Sequence, residues 1–151
     1  MGYRCDVRIA TTGVGLEKIK EMAKKNYAET LSKLNVVEED ERTVTTMGDA
    51  GFKVCYEKEL WLIDHLHVYA WDKTGKYVLF GWDDIKWMGY TFKDIMAIEK
   101  AMAECGEPVR FVAIGEDGQE QVNDWGDDDY SMPYVDTLRE FDFDSGWDMQ
   151  E

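Results

Sequence analysis

The chain has 151 residues, 32 acidic and 17 basic, giving a formal net charge of −15 and a pI near 4.4. One domain is the default at that length, a hydrophobic fraction of 44% supports a packed core, and the charge excludes unguided binding to nucleic acid or an anionic membrane, because neutralising phosphates takes a basic surface. No apolar run approaches the ~18 residues of a membrane span, the N-terminus reads as a strand instead of a secretory signal, and the dispersed Cys5, Cys55 and Cys105 fit reduced, buried thiols in a cytoplasm better than a disulfide frame.

Residues 3–11 alternate, with Tyr3, Cys5, Val7 and Ile9 on one side and Arg4, Asp6 and Arg8 on the other, the pattern of a half-buried strand. Gly13-Val14-Gly15 turns the chain, and Leu16, Ile19, Ala23, Tyr27, Leu31 and Leu34 then recur at the spacing of an amphipathic helix. Residues 35–50, rich in acid, Thr and Gly, read as a loop. Phe52, Val54 and Tyr56 predict a short strand, and Leu66, Val68 and Ala70 another. Asp72-Lys73-Thr74-Gly75 is a turn into Tyr77-Val78-Leu79-Phe80, the second arm of a hairpin. Gly81 permits a bulge or bend in an extended run reaching towards Trp87. Thr91-Phe92-Lys93-Asp94 matches a capping box with Thr91 as N-cap. The helix it opens buries Phe92, Ile95, Ile98, Met102 and Cys105, and ends at Gly106 and Pro108. A last strand spans 109–114, stopped by Gly115-Glu116-Asp117-Gly118.

The order β-α-insert-β-β-α-β is the split βαβ pattern of an α+β, ferredoxin-like βαββαβ sandwich, an antiparallel four-stranded sheet with two helices on one face. On this reading residues 1–151 form one domain, with a core at about 3–115, an insert at about 35–65 and an acidic, aromatic-rich extension at 116–151.

Several candidate chemistries fall short. His65 and His67 would share one face of a strand and could meet one metal with Asp64, Cys55 or Glu57, but no clear third and fourth ligand follows, so no metal is expected. Asp142-Phe143-Asp144-Ser145-Gly146 lacks the third acid and the closing Glu of a calcium loop. Gly13-Val14-Gly15 joins a strand to a helix N-terminus, where a phosphate can sit, yet it lacks the Walker and dinucleotide glycines and fits a tight turn better. No nucleophile elbow, Cys/His pair or kinase signature is present, so neither catalysis nor a cofactor is expected. Trp61, Trp71, Trp82 and Trp87 crowd the hairpin region. They suit either base stacking and partner contact on a sheet face bare of helices or a second core there, the latter slightly favoured.

Gly2-Tyr3-Arg4-Cys5-Asp6-Val7-Arg8-Ile9, Phe80-Gly81-Trp82-Asp83-Asp84-Ile85-Lys86-Trp87, Arg110-Phe111-Val112-Ala113-Ile114-Gly115-Glu116-Asp117 and Leu138-Arg139-Glu140-Phe141-Asp142 together resemble a loose group of small uncharacterised proteins from Firmicutes and their phages. The resemblance spans most of the chain outside 35–65. It implies a phage or mobile-element setting inside a Gram-positive host cell and carries no activity onto any residue.

Charge is distributed unevenly. Residues 1–35 are net +3, residues 36–64 net −5 and residues 65–112 net −1, whereas residues 113–151 are net −12. A segment that acidic and that aromatic suits an interaction surface presenting carboxylates where a basic host protein expects phosphates. The expectation is an anti-defence protein, an anti-CRISPR or similar nuclease inhibitor. Glu116, Asp117, Glu120, Asp124, Asp127, Asp128, Asp129, Asp142 and Asp144 would supply the mimicry, with Trp125 and Tyr130 as anchors. Its partner would be a protein, with no direct nucleic acid or membrane contact. The alternative is a sponge or sensor for a nucleotide signal with an aromatic pocket, drawing on Arg4, Arg8, Lys53, Lys76 and Lys86 for phosphates.

Overall fold

The computed structural model describes residues 4–87 and 92–126 and the backbone of 147–149. Strand β1 (Cys5–Thr12) runs directly into helix α1 (Gly13–Ser32). Thr12 serves both, because its hydroxyl oxygen accepts the N–H of Gly15 at 2.9 Å and so satisfies one of the donors that a first helical turn leaves open. Leu16, Ile19, Ala23, Tyr27 and Leu31 form the buried stripe of α1, as their three- and four-residue spacing requires.

The stretch expected as a loop instead forms a hairpin, β2 (Val36–Glu39) and β3 (Thr43–Met47), to which β4 (Lys53–Glu57) adds antiparallel. Asp40 makes the turn, accepting the N–H groups of Arg42 and Thr43 at 2.8 and 2.7 Å and the Thr43 hydroxyl at 2.9 Å. Those bonds hold its carboxyl below the usual carboxylate range. Sequence alternation failed here because β2 is exposed throughout and only Val44 and Thr46 of β3 are buried, so little apolar period exists to be read.

β5 (Val68–Asp72) and β6 (Tyr77–Ile85) make the expected hairpin, followed by helix α2 (Lys93–Glu104) and strands β7 (Val109–Gly115), β8 (Glu120–Trp125) and β9 (Trp147–Met149). Helix α2 buries Ile95, Ala97, Ile98, Ala101 and Met102. Its N-cap is Phe92, which provides no side-chain cap; the expected N-cap, Thr91, lies outside the described residues. Asp94 sits in the first turn, where a carboxylate suits the helix dipole, and accepts the N–H of Ile95 at 2.8 Å.

The fold is therefore α+β, with every described strand pairing antiparallel. The main sheet has the order β8-β7-β1-β6-β5-β9, and β2-β3-β4 form a second sheet. Both helices pack on one face of the main sheet, over Val7, Ile9, Val78, Phe80, Trp82, Val109, Phe111 and Ala113, and Val44, Leu60 and Ile63 join that core. Among the described residues no helix is long and apolar enough to cross a membrane.

The expected half-buried β1 is corrected: it is buried on both faces from Cys5 to Thr11. Opposite the helices, Ala10, Ala70, Tyr77, Leu79 and Val112 form a second apolar cluster drawn only from strands. Asp6 and Arg8 are buried on this side. Asp6 accepts the N–H of Asp84 at 2.9 Å where β6 leaves regular register. Arg8 sits 2.7 Å from the Asp83 carboxylate and donates to the carbonyls of Val7 and Trp82 at 3.0 and 3.2 Å.

Asp72, 6% exposed, closes the β5–β6 turn by accepting the N–H of Tyr77 at 3.0 Å and the hydroxyl of Thr74 at 2.6 Å. Burial opposes its charged form, but these bonds outweigh burial and hold its pKa below the ordinary value. A carboxyl lowered by folding contributes stability that is whole above its unfolded pKa and is lost as pH falls through the folded one. Asp72→Asn is therefore expected to melt a few degrees lower at about pH 7, with the gap closing towards about pH 3. Melting curves of both proteins across that range check it, and a gap constant with pH would refute it.

Candidate functional site

Four of the expected site carboxylates lie on the β7–β8 hairpin. Glu116 accepts the N–H of Arg4 at 2.8 Å and returns its own N–H to the Arg4 carbonyl at 3.0 Å, pinning the turn to the start of β1. Asp117 accepts the N–H of Gln119 at 3.0 Å, a turn-forming bond. On β8, Glu120 and Asp124 share the face opposite the helices, roughly 13 Å apart at the rise of a strand. Asp124 sits 3.3 Å from Nε of Arg110, its cross-strand partner, an exposed pair that contributes little stability. β8 is exposed from Glu120 to Asp124. Asp127, Asp128, Asp129, Tyr130, Asp142 and Asp144 lie outside the described residues.

Trp125, at the end of the same strand, faces the other way. Its ring meets Phe111 edge-on at 6.4 Å, continuing a row that runs Phe80, Trp82, Trp87, Phe111 beneath the helices. Trp82 is fully buried and donates to the Leu62 carbonyl at 3.0 Å, and Trp87 donates to Glu99 at 2.9 Å. Trp71 also packs on that core. These tryptophans thus strengthen the helix-side core and form no second core on the opposite face. Trp125→Ala is expected to cost about 2–3 kcal/mol, since it strips a half-buried ring from Phe111. A fall of roughly 5 °C or more in melting temperature checks this, and an unchanged melt would show the ring to be dispensable to the fold.

The phosphate readings lose their geometry. Beside the N-terminus of α1, Glu107 accepts the Thr12 hydroxyl at 2.7 Å and lies 3.8 Å from Lys18, which sets a carboxylate next to that turn. Gly15 is there for close packing, because a Cβ would fall 2.1 Å from Oγ1 of Thr11. Four of the five candidate cations are engaged at separate places: Arg8 is buried beside Asp83, Arg4 donates to the Asp84 carbonyl, Lys53 lies by Glu38, and Lys76 lies over the Tyr77 ring. The histidines also part. His65 ends a short 3₁₀ turn, Leu62–Asp64, and stacks on Trp61, whereas Nδ1 of His67 accepts the N–H of Asp83 at 2.9 Å. They part because the strand begins only at Val68. Among the described residues no group of three or more His, Cys, Asp or Glu is placed to hold a metal. The three thiols are free, Cys5 and Cys105 in the core and Cys55 exposed, and burial pushes the Cys5 thiol up.

A cleft of about 720 Å³ opens between α1, β4, the chain after β4 and the start of α2. Tyr27 of α1 donates to the Glu57 carbonyl at 2.7 Å and so ties the small sheet to the helix. Burial, helped by the nearby Asp94, Glu57 and Tyr56, pushes its phenol up to about 12. Tyr56, Trp61 and Phe92 supply further aromatic wall, and Glu57, Glu59 and Asp94 line it with carboxylates. Burial raises the Asp94 carboxyl above its ordinary value. Trp61 stacks on His65 with ring centroids 3.9 Å apart and an angle of 15°, yet stays 56% exposed. None of Arg4, Arg8, Lys53, Lys76 and Lys86 reaches this cleft. Sequence reasoning missed it because its residues come from separate elements and each had a local explanation: Tyr27 in a helical stripe, Asp94 in a capping box. Among known proteins, no family, no curated protein and no solved structure matches this chain.

Proposed function

We propose that this is an interaction protein whose acidic face occupies a basic, nucleic-acid-binding surface of another protein, in the manner of a phage-encoded anti-defence inhibitor acting inside its bacterial host. The carrying observation is the β7–β8 edge. No Lys or Arg occurs between residues 113 and 138, and a hairpin bonded to β1 presents Glu116, Asp117, Glu120 and Asp124 along that stretch. Carboxylates on a preorganised strand steer a positive partner and lose little entropy on docking. The phage setting rests on the segmental resemblance. The order β7-β1-β6-β5 with α1 and α2 on one face supports a ferredoxin-like core. In that reading β2-β3-β4 is its insert and β8 and β9 are additions at its two edges. The reading assigns no catalysis, cofactor or metal.

The test compares wild type with a variant carrying Glu120→Gln, Asp124→Asn and Asn at Asp127, Asp128 and Asp129. Immobilised wild type is expected to capture a basic nucleic-acid-binding protein from host lysate at low salt. Duplex DNA should displace it, and so should about 0.5 M salt. The variant should melt like wild type and capture about tenfold less. Equal capture by the variant at both salt concentrations would end this reading.

A further inference from the structure

We propose that the cleft between β4 and the first turn of α2 binds a small organic cation, an amine or guanidinium carried on an aromatic or aliphatic body. The site shares no residue with the acidic hairpin and stands or falls separately from it. Its volume of about 720 Å³ lies within the range of small-molecule sites. Its walls decide the chemistry. Tyr56, Trp61 and Phe92 line it with half-buried or exposed rings, and an aromatic ring attracts a cation through its negative quadrupole while its area accepts an apolar body. Against Glu57, Glu59 and Asp94 the described lining holds one cation, Lys93, so a phosphate or carboxylate ligand would meet net repulsion and find no arginine fork.

Asp94 is the group best placed to hold the positive end. It is fixed on a helix, with one oxygen already accepting the Ile95 N–H. Burial makes its charge costly, and a cation beside it removes that cost. Trp61 supplies the complementary apolar surface. One face of its indole rests on His65, and the ring remains largely open.

Matched probes separate charge from shape: tryptamine, indole-3-acetate with the same ring but an anionic tail, and adenosine monophosphate. In calorimetric titrations tryptamine is expected to saturate one site with a dissociation constant of about 1 mM or tighter. It should also move the Trp61 indole N–H resonance. The two anions should bind at least about tenfold more weakly. Asp94→Asn should weaken tryptamine about tenfold, whereas Glu38→Gln with Glu39→Gln, which removes more charge from the exposed β2 strand, should change it less than about twofold. Trp61→Ala, at an exposed position, should weaken it as well and serves if Asp94→Asn fails to fold. No saturable tryptamine binding, equal binding of indole-3-acetate, or equal losses from the Asp94 and Glu38/Glu39 variants would overturn the proposal. The last result would reduce the effect to counterion attraction by a protein of charge −15.

Discussion

Gly81→Ala is expected to abolish folding or to lower the melting temperature by more than about 10 °C. Gly81 lies mid-strand in β6, paired with Arg8 on one side and Val68 on the other. A Cβ at this position would stand 1.9 Å from the Val7 carbonyl oxygen, 2.9 Å from the Val7 carbonyl carbon and 3.2 Å from Cα of Arg8. All three are backbone atoms of the adjacent central strand, so no rotamer change relieves the contact. β1 and β6 would have to separate, breaking ladder bonds and opening the core on both faces, at a cost above about 3 kcal/mol. Gly75→Ala is the control. Gly75 has φ of +75° and nothing within 4 Å of an added Cβ, so only the backbone penalty of about 1 kcal/mol applies. Thermal and urea unfolding of the two variants decide the matter. Equal midpoints would show that β1 and β6 do not approach this closely.

Arg8→Ala is expected to cost about 3–5 kcal/mol, which at this chain length is a fall of about 10 °C or more. The Arg8 side chain is 0% exposed, while its partner Asp83 keeps 40% exposure. Truncation leaves the Val7 and Trp82 carbonyls without this donor, the Asp83 carboxylate without its partner, and a hole where the guanidinium lay. Arg8→Lys should recover little, because one ammonium cannot reproduce a planar fork serving two carbonyls and a carboxylate. Arg8→Met should recover more than Arg8→Lys, since it fills the hole without burying a charge. Denaturation midpoints of the three variants check the order. A wild-type midpoint for Arg8→Lys would show that the fork geometry is not needed.

The two helices were legible because burial on one side of an α-helix imposes a 3.6-residue period, and Leu16, Ile19, Ala23 and Ile95, Ile98, Met102 keep it. The strands at β1, β5, β6 and β7 were legible from β-branched and aromatic runs bounded by turn residues. The hairpin at 36–47 was not, because β2 is exposed throughout and the buried side of β3 holds Val44 and Thr46, one of them polar, so no apolar alternation results. The net −12 of residues 113–151 was likewise countable from residues alone. Whether an acid is engaged was not, since Asp40 and Asp117 accept turn N–H groups and Asp124 faces an arginine across a ladder.

By itself, then, the sequence determined the local periods, the turns, the charge balance and the α+β order, all of which depend on residues within a few positions of each other. Tertiary structure alone decided which polar residues are buried and which elements share a cleft. Arg8 looks solvent-facing by alternation and is buried because Asp83 and two carbonyls, one of them 74 residues away, accept its hydrogen bonds. Tyr27, Trp61 and Asp94 meet only because β4 is tied to α1 and the first turn of α2 stands beside it. Burial and proximity are properties of the packed chain, in which each contact depends on every other, so no local pattern announces them.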